Sequence, residues 1–170
     1  IKSLFRYKNA SISVHGEKPN TVKVLCSDAS EAIQQLPSYQ KLMRAEYHLI
    51  PLNRRIMNHP EVYTYFLEDL KKGYGNLAGV QMLEHIGINA TVATSLALGG
   101  EVFGFLEFHF ANPDDLDQVN HNLFKNVANQ VAVAVSNILA NESIQAREQE
   151  KALQIDIIDA INQGRNWREK

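Results

Sequence analysis

Three observations predict an α+β domain. Two stretches, "ASISVHGEKPNTVKVLCSD" and "INATVATSLALGGEVFGFLEFHF", alternate with a period of two around turn residues, as antiparallel hairpins do. A later run, Leu116, Val119, Leu123, Val127, Val131, Ala134 and Ile138, places apolar residues at steps of three and four, an amphipathic helix suited to lie on a sheet. The chain has 170 residues, 45% of them hydrophobic and 21% charged. That length fits one domain, which buries roughly 70% of its unfolded surface without disulfide or metal staples.

Taken in order, "ASISVH" (10–15) and "TVKVLCSD" (21–28) form the first hairpin across "GEKPN", with Val22, Val24 and Cys26 expected on one face. Residues 29–89 are more mixed. "SEAIQQL" reads as a short helix with Ser30 as N-cap, and Pro37 breaks it. "YQKLMRAEYHLI" suits helix or strand. "HPEVYTYFLEDLKKGYGNLAGVQMLEHIGI" holds aromatic residues, a glycine cluster and a helix-like run before Gly87. Sixty residues of short elements between two hairpins, 29–89, is the kind of insertion that shapes a site or a lid.

The second hairpin turns at Gly99-Gly100, where φ > 0 costs nothing. Its second strand places Val102, Gly104, Leu106, Phe108 and Phe110 on one face and Phe103, Phe105, Glu107 and His109 on the other. Periodicity establishes two faces and leaves open which of them meets a pocket. After the hairpin, Asn112 suits an N-cap, Pro113 the first helical position, and Asp114 and Asp115 the positive end of the helix dipole. The helix is therefore expected to start at Pro113. No glycine or proline then interrupts it before Gly164.

Several function classes lose support. The formal net charge of −2 gives no basic excess to recommend nucleic acid or an anionic membrane as a direct partner. A single cysteine, Cys26, cannot form an intramolecular disulfide and suits a reducing, cytoplasmic setting. Alternation with Val22 and Val24 favours a buried structural thiol. The six histidines show no paired spacing on a helix, and Glu107 with His109 supplies two candidate ligands without a third, so no metal site is assigned. "GYGNLAG" (73–79) lacks the strand and the G-K-[ST] of a phosphate loop. No catalytic residue is assigned and no cofactor is indicated. Tyr63, Tyr65 and Phe66 suit either stacking on a planar ligand or an ordinary core.

Residues 86–142 resemble the second half of a GAF domain: "GEVFGFLEF", an acidic helix start, then Ala128, Gln130, Ala132 and Ala134 in an A-x-Q-x-A-x-A helix. The first hairpin resembles that family's first two strands, while 29–80 matches loosely. The resemblance implies a six-stranded antiparallel sheet with helices on one face, a loop-covered pocket on the other and a long C-terminal helix. It is similar to the modules of bacterial sensor kinases and enhancer-binding transcriptional activators. On this reading Phe103, Phe105, Glu107 and His109, with Tyr63 and Tyr65, are the candidate ligand-binding residues for an unidentified small molecule. The N-K…F…D-E set of cyclic-nucleotide members is not matched by Asn122, Phe124 and Lys125. Cys26 lies earlier than the usual chromophore cysteine of bilin binders, and one cysteine cannot run a sulfoxide-reductase cycle.

The expected organisation is a sensory domain at 1–141 and a signalling or dimerisation helix at 142–170 leading to an effector domain. The chain opens on Ile1 and stops at "NWREK" within a helical pattern, as a fragment of a longer protein would. Ile144, Ile155 and Ile158 share one helical side and are the candidate dimerisation residues, with Glu148 and Lys151 weakening the seam. The expected function is non-catalytic sensing and homodimerisation in signal transduction. A ligand-free dimerisation scaffold is the alternative, and an enzyme using Glu107 and His109 is a third.

Overall fold

Alternating β-branched and aromatic residues build the centre of the molecule. In a computed structural model, backbone is described for residues 5–166 and side chains for residues 5–155. Strands β1 (Asn9–His15), β2 (Thr21–Asp28), β3 (Glu46–His48), β4 (Tyr63–Phe66), β5 (Ala90–Leu98) and β6 (Glu101–Phe110) form one six-stranded sheet in the order β3-β2-β1-β6-β5-β4, with every neighbouring pair antiparallel. Both expected hairpins are present, and the insertion supplies the two edge strands. Gly99 and Gly100 sit at φ +61° and +88°, the conformation a two-residue hairpin turn requires.

Two irregularities fix which side chains share a face. Leu96 pairs with Gly104 but Ala97 pairs with Val102, so Phe103 is the extra residue of a bulge. Side-chain parity therefore changes between Phe103 and Gly104. Phe103 packs with the helix-facing cluster, and Val102 packs beside Phe105 on the opposite side. This corrects the expectation that Phe103 and Phe105 share a face. A second bulge lies in the first hairpin, where Ile12 pairs with Cys26 but Ser13 pairs with Val24. It removes Cys26 from the Val22/Val24 face and leaves it exposed rather than buried. Its thiol pKa is nonetheless raised, by partial desolvation.

One face of the sheet carries the larger aromatic core. Phe108 contacts Phe5, Tyr7 and Phe124 with ring centroids 5.1, 4.5 and 5.0 Å away, distances that suit favourable edge and tilted packing. The Tyr7 hydroxyl donates to Asp28 at 2.7 Å, and desolvation together with that carboxylate pushes its pKa up to about 12. Asn112 does cap a turn, with its side chain accepting from the Asp114 amide at 3.2 Å, but the turn is a 3-10 helix, Pro113–Gln118. The α-helix begins afresh at His121, where Asn120 accepts from the Leu123 amide at 3.0 Å. Its fully buried stripe is Phe124, Ala128 and Ala132, while Leu123 is exposed. The sheet contact is thus shared between Leu116, Val119, Val127 and Val131 of the expected stripe, which pack on the same cluster, and alanines one position further on, whose small size allows close approach.

Among the described residues, five short helices pack on the opposite face: α1 (Glu31–Gln34), α2 (Pro37–Arg44), α3 (Pro51–Asn58), α4 (Leu67–Tyr74) and α5 (Ala78–His85). Ile33, Tyr39, Met82, Ile86 and Ile88 join α1, α2 and α5 in one cluster. Ile56 and Met57 of α3 pack on Val22, Ala93 and Phe105 of the sheet. Helix α6 (His121–Asn166) ends the described chain. The chain divides into two compact units, Ile1–Ala132 and Val133–Lys170. Within the second, Val133, Ile138, Ile144, Leu153 and Ile155 are exposed. The side chain of Ile158 lies outside the described residues.

Candidate functional site

Between the sheet and the short helices lies a cavity of about 430 Å³, within the range of small-molecule sites. Its floor is the sheet. β1 contributes Asn9, Ser11 and Ser13, and β6 contributes Phe105, Glu107 and His109. These residues alternate because successive strand side chains point to opposite faces. Ser11 is directly opposite Glu107, and Asn9 is opposite His109. Leu42, Met43, Leu52, Met82 and Leu83 of the covering helices make the walls largely aliphatic.

The polar floor is a connected network. Glu107 accepts from the Tyr65 hydroxyl at one carboxylate oxygen and from the Ser11 hydroxyl, at 3.2 Å, at the other. His109 is buried, with Nε2 3.1 Å from the Ser11 hydroxyl and Nδ1 2.9 Å from the Thr91 hydroxyl. Because the single Ser11 hydroxyl proton goes to Glu107, Ser11 accepts from His109, which assigns the imidazole proton to Nε2 and leaves Nδ1 to accept from the Thr91 hydroxyl. Desolvation lowers the His109 pKa against the opposing pull of Glu107, so the ring is neutral near pH 7. Desolvation, and then the Glu107 charge, holds the Tyr65 hydroxyl pKa well above its usual value.

The structure brings Tyr65, Phe105, Glu107 and His109 to the cavity. Phe103 is carried to the other face by its bulge. Tyr63 lies one row along the strand from Tyr65 and packs in the Phe105 cluster, with the Arg55 guanidinium 5.3 Å above its ring, but does not line the cavity. Phe66 is exposed. Sequence reasoning missed Asn9, Ser11, Ser13 and Thr91. The available signal was "NASIS": small polar residues at alternate positions of a strand, which marks a buried face that must meet other polar groups.

Glu46 occupies the rim. Its carboxylate accepts from the Glu17 and Lys18 amides at 2.8 and 3.3 Å and from the Thr21 hydroxyl at 2.9 Å. The Glu17 amide bond and then Thr21 lower its pKa. Among the described residues, no Lys or Arg lines the cavity. Among the described residues, no group of three or more His, Cys, Asp or Glu side chains is placed to hold a metal ion. Also among them, no helix is long and apolar enough to cross a membrane.

No protein-family model matches the chain, and no curated protein matches it. Solved structures do. The GAF domain of a two-component sensor histidine kinase from Bacillus halodurans is similar at 14% identity, covering 82% of this chain and 88% of that one, with a TM-score of 0.57. The GAF domain/HD domain protein from Geobacter sulfurreducens aligns at 11% identity over 81% and 86%, TM-score 0.57. The phycocyanobilin-bound GAF domain from a cyanobacterial phytochrome aligns at 16% over 80% and 78%, TM-score 0.52. At these identities the likeness speaks to fold alone. Together with the six-stranded antiparallel sheet, the covering helices and the long C-terminal helix, it shows that this chain has the GAF fold.

Proposed function

We propose that this domain is a non-catalytic sensory module of a larger cytoplasmic signalling protein, one that binds a small molecule over its sheet. The observation that carries the reading is the cavity, which joins aliphatic walls to a hydrogen-bonded polar floor. Such a combination suits a ligand with one apolar body and a few polar atoms. The sensor-kinase setting of one structural neighbour supports a two-component parent protein, and a transcriptional activator is the other parent of this type. Glu107 and His109 act here as binding and positioning groups, because each is engaged by neighbouring hydroxyls.

The proposed output is a homodimer paired through the C-terminal helix. Exposed Ile144 and Ile155, with Ile158, supply its apolar seam, and a partner helix is the simplest cover for such a stripe. The same exposed residues favour the second reading, a ligand-free dimerisation scaffold. Native mass spectrometry of the purified chain separates the two. A retained small molecule on the dimer supports sensing. A ligand-free dimer that no compound stabilises supports the scaffold. Ultracentrifugation of the chain against a version ending at Asn141 checks the seam: monomers for both at tens of micromolar refute pairing by this helix.

A further inference from the structure

The charged and titratable groups of the cavity are unevenly distributed. Its one carboxylate in the floor is Glu107, whose side chain keeps 13% of its surface exposed. Each carboxylate oxygen accepts two hydrogen bonds. Tyr65 occupies one position on the first oxygen and Ser11 one on the second, so acceptor capacity remains on both. The adjacent imidazole, His109, is held neutral by burial and supplies no countercharge. At the rim stands a second carboxylate, Glu46. Among the described residues no guanidinium or ammonium lines the space, and the other imidazole that does, His48, is exposed on the same short strand as Glu46.

Such a site penalises anions. A ligand carboxylate or phosphate entering it loses its water, meets a fixed negative group on the floor and, among the described lining residues, finds no guanidinium or ammonium there. A ligand ammonium or protonated nitrogen heterocycle gains a charge-assisted hydrogen bond, about twice as strong as a neutral one. A metal ion is a poorer occupant, because no third ligand joins Glu107 and His109 among the described residues and the walls are aliphatic. Phe105, on the same strand face, offers a ring to an aromatic body.

Resting on the sensory reading above, we infer that the occupant is an organic cation, a compact aromatic or amphipathic amine whose N–H groups meet Glu107. Anionic metabolites are excluded. The class is set by the floor carboxylate, with Tyr65 and Ser11 orienting it.

Three probes with a shared ring test this: tryptamine (cation), tryptophol (neutral) and indole-3-acetate (anion), titrated at pH 7.5 by ligand-observed NMR and thermal shift. Tryptamine is expected to bind at least tenfold more tightly than tryptophol, with indole-3-acetate weakest. Glu107→Gln should collapse the tryptamine preference over tryptophol to below threefold. Tyr65→Phe, which frees an acceptor position on Glu107, should preserve or increase the preference and guards against a misfolded Glu107→Gln. Equal binding of all three probes, or preference for indole-3-acetate, overturns the charge class and leaves small-molecule sensing standing. No binding of these probes or of a general metabolite library overturns both.

Discussion

His109 makes stability depend on pH in a defined window. Desolvation among Ser11, Thr91 and the sheet lowers its folded pKa, and Glu107, the charged group facing it, opposes that shift. The unfolded chain therefore takes up a proton near pH 6.5 that the folded protein resists. Below that value the unfolded state binds more protons, so stability falls as pH falls. If the native ring takes up no proton at all, lowering pH from 7.0 to 5.5 costs at most about 1.3 kcal/mol. For a chain of this size that is a drop in Tm of roughly 3–5 °C. Thermal melts at half-unit steps, compared with His109→Gln, read the effect, and the variant should lose less stability over the same interval. Glu46 does not confuse the measurement, because its carboxyl pKa is lowered, so its effect on stability falls mainly below the ordinary carboxylate value of 4.5. Parallel pH curves for the two proteins would refute the neutral-imidazole argument. A wild type that gains stability on acidification would reverse its sign.

Other expectations follow from single contacts. Phe105 is 2% exposed, so Phe105→Ala should cost about 3–5 kcal/mol in denaturant unfolding and weaken probe binding. Phe103→Ala, on the opposite face, should leave probe affinity within twofold in the same titration. A Cβ at Gly104 would lie 2.2 Å from the Ser13 carbonyl oxygen, so Gly104→Ala should lower stability by at least about 1–3 kcal/mol, measured as a shifted denaturant midpoint. Cys26 is exposed and unpaired in a disulfide. Cys26→Ser should change stability by no more than about 0.5 kcal/mol, and iodoacetamide should label the native thiol without denaturant.

Much of the sheet was legible because its signal is local. The two hairpins and the glycine turn follow from period-two alternation and from backbone freedom at Gly99 and Gly100. The edge strands β3 and β4 were not legible as strands, being only three and four residues long. Side-chain faces failed where bulges intervened. Neither "VLCSD" nor "LGGEVFG" announces an extra residue, because a bulge is set by how two strands meet rather than by either alone. Helix α6 began late for a related reason: Asn112 and Asn120 are both competent caps, and the first closes only a 3-10 turn. At the site, Glu107, His109, Phe105 and Tyr65 stood out as unusual residues on an alternating strand. Ser11 and Thr91 looked like ordinary strand residues until cross-strand register set them beside His109.

The bulge at Phe103 also insulates the polar floor from the hairpin tip. In an unbroken ladder, a residue gained or lost at Gly99-Gly100 propagates along both strands and exchanges their faces. Here the parity break already lies between the tip and Gly104, and the close passage of Gly104 over Ser13 pins β6 to β1 beyond it. An added tip residue can be absorbed by reshaping the bulge, while Glu107 and His109 keep their partners on β1. The tip is thus a natural port for grafting: a reporter peptide or epitope inserted between Gly99 and Gly100 should leave the chemistry of the cavity in register.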